Sequence, residues 1–382
     1  MINRISFHQN NLTPSIKPNS QPKMVQFSGI NQNTDEKEIS RIADKVSKEK
    51  LEKHLNELAG PKTEGRGVGY KGIEIAKRYI SKTFREYGLK PVKELGLNYY
   101  YEKFNLPQYP LISRDMGNHH FGSYTRLIPN PPTVETSNVL GMIRGTEKPD
   151  EFIIISAHYD HMGKDKFKKL VYPGANDDAS GVVSLMEIAR IMSQEKPPKK
   201  SVIFAALSGE ESGLLGSKKL SQDLIAKGIA KKAEVLNLEM LAAEKGETLD
   251  IWDQDKQEVK HIVDNIEKAA KQFGVKTNLI HDKSGPPADS REFNEHGVPA
   301  VTAIWDSRLD KIMQMHPTLH SENDTPENAN MDKLHQSTKV LAAASYLLAN
   351  EETAKSELAF TSNRVLELEA YKQRALNLKK TV

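Results

Sequence analysis

Three short apolar runs, each followed by acidic residues or a histidine, most constrain how this chain can fold. They are Ile153–Ile155, Val202–Phe204 and Val235–Leu236. Runs of this length, separated by sequences with helical periodicity, are typical of buried strands in a largely parallel sheet. Ligands bind to such sheets outside the carboxyl ends of the strands. We therefore expect the polar residues that follow these runs to converge on one rim: His158, Asp160, Asp177, Glu210, Glu211 and Glu239.

An imidazole and several carboxylates on one rim indicate metal chemistry. A hydrolytic site with two metal ions needs a bridging carboxylate, terminal ligands and a carboxylate that accepts a proton. Asp160 follows His158 by two residues, and its carboxylate is expected to hydrogen-bond the imidazole and orient it. Asp177 lies on a turn before a helix, where a carboxylate could bridge two ions. Glu210 and Glu211 are adjacent and point in different directions, so one can be a ligand and the other a base.

Five segments, in this order, resemble the motifs of the di-zinc aminopeptidases of the aminopeptidase S and bacterial leucyl aminopeptidase type. The resemblance extends from about residue 60 to residue 349. It implies a three-layer α/β/α fold with a mixed, mostly parallel central sheet, of the zinc-peptidase (phosphorylase/hydrolase-like) type. The matching segments are His158-Tyr159-Asp160, Asn176-Asp177-Asp178-Ala179-Ser180-Gly181, Glu210-Glu211, Glu239-Met240 and His320-Ser321-Glu322-Asn323-Asp324-Thr325.

The same resemblance implies a metal-dependent aminopeptidase that binds two zinc ions per chain. One zinc would be held by His158, Asp177 and Glu239. The other would share Asp177 and would also be held by Glu211 and His320. The substrate would be a peptide with a free N-terminus, whose α-amine the metals would bind.

Glu210 would be the general base, and Asp160 would support the site as its neighbour. Two departures from the family pattern concern the site. Glu239 stands where the family usually has aspartate, which moves the carboxylate by about one C–C bond, although glutamate still ligates zinc. Ser290 follows Asp289 where the family often has histidine, and this difference could alter the pocket around the metals. Asp289 is itself expected to support the site from outside the ligand set.

Other polar residues near these motifs have more ordinary expected roles. His161 and Asp178 are expected to be solvated or to cap a helix, because an acid complements a helix N-terminus. The pair His119–His120 lies in a polar stretch and is expected to be solvated. His316 competes with His320 as a ligand, and the Asp-Thr pair that follows favours His320.

The chain divides into three parts on the basis of its composition. We expect a disordered tail over 1–36, a catalytic domain over 37–350 and a charged C-terminal helix over 351–382. The domain is expected to begin with a helix over 38–58. The strands over 138–143 and 152–156 are expected to be neighbours in the sheet. The spacing Gly65-Arg66-Gly67-Val68-Gly69 is interpreted as a turn, because no strand precedes it as a phosphate-binding loop requires.

Composition excludes several classes of protein. The 382 residues include 54 basic and 51 acidic side chains, so the net charge of +3 gives no reason to expect nucleic-acid binding. There is no cysteine, which excludes disulfides and thiolate-bound zinc. No apolar run approaches the ~18 residues of a membrane helix. The N-terminus lacks the apolar region of an ordinary secretory signal, so the cytoplasm is favoured, although another export route stays open.

Three alternative functions remain open from the sequence. The first is a single-zinc acyltransferase like the glutaminyl cyclases, which would not need His158 as a ligand. The second is a carboxypeptidase or dipeptidase on the same fold. The third is a binding module that has lost its metals, against which all the expected ligand positions hold competent side chains.

Overall fold

The computed structural model of the protein describes residues 32–108, 111–116, 119–124, 130–165, 169–252, 257–280, 288–308 and 312–352. Most of the predicted N-terminal tail and nearly all of the predicted C-terminal helix lie outside the described residues. Helix α1 begins at Gln32, before the predicted start of the catalytic domain at residue 37. Within the described residues, no helix combines the length and the apolar character that crossing a membrane requires.

The described residues form helices and strands with the following bounds. The helices are α1 (Gln32–Ala43), α2 (Lys48–Leu58), α3 (Lys71–Glu86), α4 (Ser180–Ser193), α5 (Leu215–Ala226), α6 (Lys260–Gln272), α7 (Asp289–Glu295), α8 (Ile312–Met315) and α9 (Met331–Asn350). The strands are β1 (Tyr101–Pro107), β2 (Leu111–Met116), β3 (His119–Tyr124), β4 (Thr133–Ile143), β5 (Lys148–His158), β6 (Gly163–Asp165), β7 (Leu170–Tyr172), β8 (Lys200–Leu207), β9 (Ala233–Glu239), β10 (Thr248–Trp252), β11 (Lys276–Ile280) and β12 (Ala300–Trp305).

A mixed sheet of eight strands, in the order β1-β4-β8-β5-β9-β12-β10-β11, is the centre of the described fold. The four adjacent strands β8, β5, β9 and β12 are parallel to one another. Strands β1, β4 and β10 each pair antiparallel with a neighbour. The prediction of a mixed, mostly parallel sheet in a three-layer α/β/α fold is confirmed.

Helices cover both faces of this sheet, because successive side chains of the central strands point to opposite faces and are apolar on both. On β5, Ile153 and Ile155 pack into the apolar cluster that contains residues of α4 and α9. Phe152 and Ile154 point to the opposite face, into the cluster with residues of α5 and α7. A strand buried on both faces has apolar residues at every position rather than at alternate ones. This is why the central strands appear in the sequence as continuous apolar runs.

The predicted adjacency of strands β4 and β5 is wrong, because β8 lies between them. Ile203 of β8 pairs with Met142 of β4 on one side and with Ile154 of β5 on the other. The short connection from β4 to β5 crosses the beginning of β8 at Gly145. A Cβ there would lie 2.5 Å from the carbonyl oxygen of Lys199, so the crossing requires glycine.

The single helix predicted over 38–58 is also wrong, because the chain breaks it into α1 and α2. Ser47 is the N-cap of α2, and its hydroxyl accepts a hydrogen bond from the Lys50 amide at 3.2 Å. The Ser47 amide donates to the Glu187 carboxylate at 2.8 Å. Ile42 and Val46 are both buried, so the helical spacing of apolar residues continues through the break. The periodicity of the sequence therefore does not reveal where α1 ends and α2 begins.

Candidate metal centre

Most of the predicted site residues lie at or just after the carboxyl ends of three neighbouring parallel strands. Strand β5 ends at His158 and strand β9 ends at Glu239. Strand β8 ends at Leu207, and Glu210 and Glu211 follow it in the connection to α5. Since these strands are adjacent and parallel, their last residues and the loops after them share one edge of the sheet.

One group of ligand atoms surrounds the His158 imidazole. Its Nε2 atom lies 3.2 Å from Asp177 Oδ1 and 3.1 Å from Glu239 Oε1. All three side chains are buried. The carboxylate of Glu239 therefore contacts the imidazole even though its side chain is one methylene longer than the aspartate of the family pattern.

A second group lies on the other side of Asp177. His320 Nε2 is 3.1 Å from Asp177 Oδ2 and 3.5 Å from Glu211 Oε2. The two oxygens of the Asp177 carboxylate thus face two different imidazoles, Oδ1 towards His158 and Oδ2 towards His320. This is the arrangement that a carboxylate needs to be shared by two cations.

The expectation that His161 is solvated or caps a helix is wrong. His161 is fully buried, and its Nδ1 atom lies 2.8 Å from Glu211 Oε1 and 3.7 Å from Asp177 Oδ2. Its position was open to prediction, since it follows His158 by three residues at the same end of β5. His161, Asp177 and Glu211 offer ligand atoms that all lie within 4.8 Å of one another.

Asp178 caps a helix as expected, but it is buried rather than solvated. Its Oδ1 atom accepts hydrogen bonds from the amides of Gly181, in the first turn of α4, and of Met240, both at 3.0 Å. Asp178, His158 and Glu239 also offer ligand atoms within 4.8 Å of one another. Asp178 therefore lies beside the first group without being one of the predicted ligands.

His316 is placed where it supports the turn that carries Asp177. Its Nδ1 atom lies 2.8 Å from the amide nitrogen of the Asn176 side chain, and its Nε2 atom lies 2.6 Å from the Trp305 carbonyl oxygen. Asp324 accepts hydrogen bonds from the backbone amides of Asn176 at 2.7 Å and of Asp177 at 3.0 Å. Both ring nitrogens of His316 thus lie within hydrogen-bond distance of Asn176 and Trp305, whereas Nε2 of His320 faces the Asp177 carboxylate.

The contact expected between the carboxylate of Asp160 and the imidazole of His158 is replaced by another. His158 Nδ1 lies 3.1 Å from the backbone oxygen of Asp160 and 3.7 Å from its carboxylate. The Asp160 carboxylate instead accepts a hydrogen bond from the Glu210 amide at 3.2 Å. The group that orients the His158 imidazole is therefore the backbone carbonyl of Asp160. The Asp160 side chain instead holds the segment of Glu210, the expected general base.

Arg66 is a buried cation that connects the segment of His158 with the segment of Asp177. Its guanidinium donates to the carbonyl oxygens of Tyr159 at 2.7 Å and Gly174 at 2.7 Å. It also donates to those of Pro173 at 2.6 Å and Leu58 at 2.9 Å. From the sequence we expect only a turn here, because nothing in it indicates which carbonyls an arginine side chain reaches.

The electrostatics of the cluster are dominated by buried carboxylates. Burial lowers the pKa of His158, but the charges of Glu239 and Glu210 outweigh it and hold that pKa well above its usual value. Burial raises the pKa of Glu239, with only partial compensation from His158. Burial likewise raises the pKa of Glu210 well above its usual value. These carboxylates lack enough positive charge around them.

Other acids of the cluster differ according to their neighbours. Although burial opposes it, His320 lowers the pKa of Glu211 to about 2. Burial raises the pKa of Asp289, which is fully buried, to about 7, while nearby His158 partly offsets this effect. Among the described residues, Asp178 Oδ2 and Asp160 Oδ2 are buried without a hydrogen-bond partner. Uncompensated buried carboxylates are costly, and divalent cations at this rim would relieve that cost.

The donor set also agrees with zinc, which proteins bind through imidazole nitrogen and carboxylate oxygen. Comparison with known proteins points the same way. A region of the curated aminopeptidase YwaD of Bacillus subtilis is 26% identical over 243 residues, which are 62% of this chain and 50% of that protein. A protein described as a probable zinc metalloprotease of Pyrenophora tritici-repentis is 39% identical over 122 residues, which are 31% of this chain and 24% of that protein. The matched regions thus span half or less of these relatives.

Solved structures with this fold include a zinc aminopeptidase from Bacillus subtilis, with a TM-score of 0.63 at 18% identity over 81% of this chain and 97% of that one. A peptidase M28 precursor from Shewanella amazonensis has a TM-score of 0.65 at 16% identity over 84% of this chain and 98% of that one. The sequence model of peptidase family M28 matches residues 138–345, which include every predicted ligand. The chain belongs to peptidase family M28, as the resemblance of its five motifs to the di-zinc aminopeptidases predicted.

Proposed function

We propose that this protein is an aminopeptidase that removes N-terminal residues from peptides with the help of two zinc ions. The observation that carries the proposal is the Asp177 carboxylate, whose two oxygens face the imidazoles of His158 and His320 at 3.2 and 3.1 Å. A relative that matches more than half of this chain is named an aminopeptidase.

The ligand assignment is the one that the resemblance to the di-zinc aminopeptidases implies, and the distances in the site are compatible with it. His158, Asp177 and Glu239 would hold one zinc ion. Glu211 and His320 would hold the other together with Asp177, and His161 lies beside that group. When bound, zinc lowers the pKa of water to about 7 and polarises a carbonyl group.

Glu210 is the residue of this chain that would move the proton. It follows the end of β8, and its amide is held by Asp160 at 3.2 Å, so its carboxylate belongs to the same rim as the ligands. Glu210 would accept one proton from the water that adds to the scissile carbonyl carbon, and would deliver that proton to the leaving nitrogen as the C–N bond breaks. Burial raises the pKa of the Glu210 carboxyl, which makes its carboxylate a stronger proton acceptor once bound cations favour the ionised form.

The free amino terminus of the substrate is the second part of the proposal. The resemblance to the di-zinc aminopeptidases implies that the metals would bind the free α-amine of the substrate through its nitrogen lone pair. A blocked N-terminus would lose that interaction and would add bulk. We therefore expect hydrolysis to depend on an unblocked N-terminus.

A metal analysis combined with a substrate panel tests this function. We expect two zinc ions per chain, release of p-nitroaniline from amino-acyl p-nitroanilides, and no release from their N-acetyl forms. Chelation should abolish the activity and zinc should restore it, because the ligands are neutral imidazoles and carboxylates that bind reversibly. One zinc ion per chain with pyroglutamate formation, or cleavage from the C-terminus only, would replace the proposal with one of its alternatives.

Paired substitutions distinguish the two histidines near Glu211. Both His320 and His161 lie against Asp177 and Glu211. We expect His320→Gln to lower the zinc content from two ions to one, because the family resemblance makes His320 the ligand. His161→Gln should retain two ions, with weaker binding of the second. Zinc content after dialysis against a weak chelator is the measurement. Retention of both ions by His320→Gln, with loss of one by His161→Gln, would reverse the assignment.

A further inference from the structure

The buried side chain of Asn138, on strand β4, hydrogen-bonds both ends of the segment that carries Glu210 and Glu211. We call residues 208–214, between β8 and α5, the carboxylate loop. The side-chain oxygen of Asn138 accepts a hydrogen bond from the Ser208 amide at 3.0 Å, where the loop begins. Its side-chain nitrogen donates to the Gly216 carbonyl at 2.9 Å, in the first turn of α5, where the loop has ended.

The approach of these two ends is close enough to require glycine. A Cβ at Gly216 would lie 2.3 Å from the Ser208 carbonyl oxygen and 2.6 Å from Asn138 Oδ1. The Ser208 hydroxyl is also held, since it lies 2.7 Å from the hydroxyl of Thr136, two residues before Asn138 on β4. Strand β4 thus contacts the loop ends through side chains that are fully or almost fully buried.

Glu102 of β1 fixes the orientation of the Asn138 amide. The two residues are directly opposite in the antiparallel pair, and Asn138 Nδ2 donates to Glu102 Oε2 at 2.7 Å. A rotated amide would place its oxygen against the oxygens of Glu102 and Gly216, and its nitrogen against the Ser208 amide. Burial raises the pKa of Glu102 to about 8, which favours the neutral carboxyl, and a neutral carboxyl resembles the glutamine side chain in charge and shape.

The interior of the loop is closed by its own backbone bonds. The amides of Gly213 and Leu214 donate to the Glu210 carbonyl at 2.8 and 2.9 Å, and the Leu215 amide donates to the Gly209 carbonyl at 2.9 Å. The Glu210 amide donates to Asp160 on the side of the metal centre. The loop is therefore held from one side by Asp160 and from the other by Asn138.

We propose that Asn138, oriented by Glu102, is a positioning residue that sets the geometry of the carboxylate loop and so places the carboxylates of Glu210 and Glu211. The expected effect on kcat rests on the proposed function, whereas the role of Asn138 in holding the carboxylate loop does not. Asn138 touches neither substrate nor ligand atoms in this arrangement; it acts through the loop.

Hydrogen exchange of the full chain tests the structural content without any substrate. In Asn138→Ala we expect the amides of Ser208, Gly213, Leu214 and Leu215 to exchange about tenfold faster or more, because local opening of the loop becomes easier. Amides of β5 should be unchanged. Val139→Ala is the matched control, since Val139 is the next residue on β4 and packs into the core on the opposite face. Unchanged exchange in Asn138→Ala, or equal loop exchange in Val139→Ala, would overturn the inference.

Substitutions at Glu102 and Thr136 keep the test decisive if Asn138→Ala does not fold. Glu102→Gln should preserve the slow exchange of the loop amides, because the glutamine oxygen still accepts from Asn138. Glu102→Leu should increase that exchange, and Thr136→Val, which removes only the contact with the Ser208 hydroxyl, should increase it at Ser208. Equal exchange in the glutamine and leucine variants would contradict the role given to Glu102.

Kinetics at saturating zinc then tests the consequence for catalysis. A displacement of about 1 Å at a catalytic group lowers the rate by about 100-fold, so we expect kcat of Asn138→Ala to fall about tenfold to 100-fold with a much smaller change in KM. A change in KM alone would contradict the positioning role. If the wild-type protein hydrolyses no aminopeptidase substrate, the proposed function fails, and hydrogen exchange still decides the structural inference.

Discussion

Replacement of Glu210 by glutamine is expected to lower kcat for amino-acyl p-nitroanilides by about 10²–10⁴-fold, the usual contribution of a general base. Glutamine has nearly the shape of glutamate but cannot accept and return a proton. The Glu210 amide, which donates to Asp160, is unaffected by the side-chain change, so the loop should keep its position. Steady-state kinetics at matched zinc content is the measurement.

Zinc content and thermal unfolding show whether this loss is chemical. Glu210→Gln should bind two zinc ions and unfold at or slightly above the wild-type temperature, because it removes a half-buried carboxylate that lies among other carboxylates. Glu57→Gln is the matched control, since it makes the same change at an exposed position of α2. Substantial activity in Glu210→Gln would show that another group accepts the proton, and loss of zinc would make Glu210 a ligand.

The central sheet was predictable because burial on both faces leaves a clear pattern. Short apolar runs such as Ile153–Ile155, separated by sequences with helical periodicity, are typical of strands buried on both faces. The order of the strands in the sheet was harder to predict, because it depends on how the connecting loops cross the strands. Gly145 permits a close crossing that is evident only once the Lys199 carbonyl is in place. Strand β10, which has the same kind of apolar residues at its end, was missed because it is short and lies between polar segments.

The candidate site was predictable wherever a residue ends a strand or follows one directly. His158 and Glu239 are of this kind, and the sheet alone brings them to within 3.1 Å. His320 required the motif, because it follows the end of β12 by 15 residues and lies beyond helix α8. The position of His161 was predicted wrongly because solvation is the usual state of a lone histidine after a strand. The structure shows Gly174 packed against its ring, where a Cβ would lie 2.5 Å away, and this contact helps to bury it.

Contacts of Arg66 and Asn138 could not be predicted, because both side chains bind backbone carbonyls or amides distant in sequence. Backbone groups are the same at every residue, so the sequence contains no complementary partner to search for. Arg66 reaches Tyr159 and Gly174, which are 93 and 108 residues away. Such side chains determine how precisely the ligands are placed, and they are identified only from the structure.

Arg66→Lys is the second substitution with a large expected effect. The guanidinium donates to four backbone carbonyls in three directions, whereas the lysine ammonium has three donors on one atom and cannot reach all of them. A buried carbonyl that loses its donor costs about 1–3 kcal/mol. We therefore expect the free energy of unfolding of the metal-free protein to fall by about 3–5 kcal/mol, measured by urea denaturation.

Zinc binding should weaken together with stability, because the carbonyls of Tyr159 and Gly174 belong to the segments that carry His158 and Asp177. We expect the affinity for both ions to fall, since misplaced neighbours of metal ligands typically cost about 10–100-fold in affinity. Arg78→Lys, the same change at an exposed position of α3, should alter neither quantity. If Arg66→Lys lowered stability but left zinc affinity at the wild-type value, Arg66 would hold the core beneath the site without aligning its ligands.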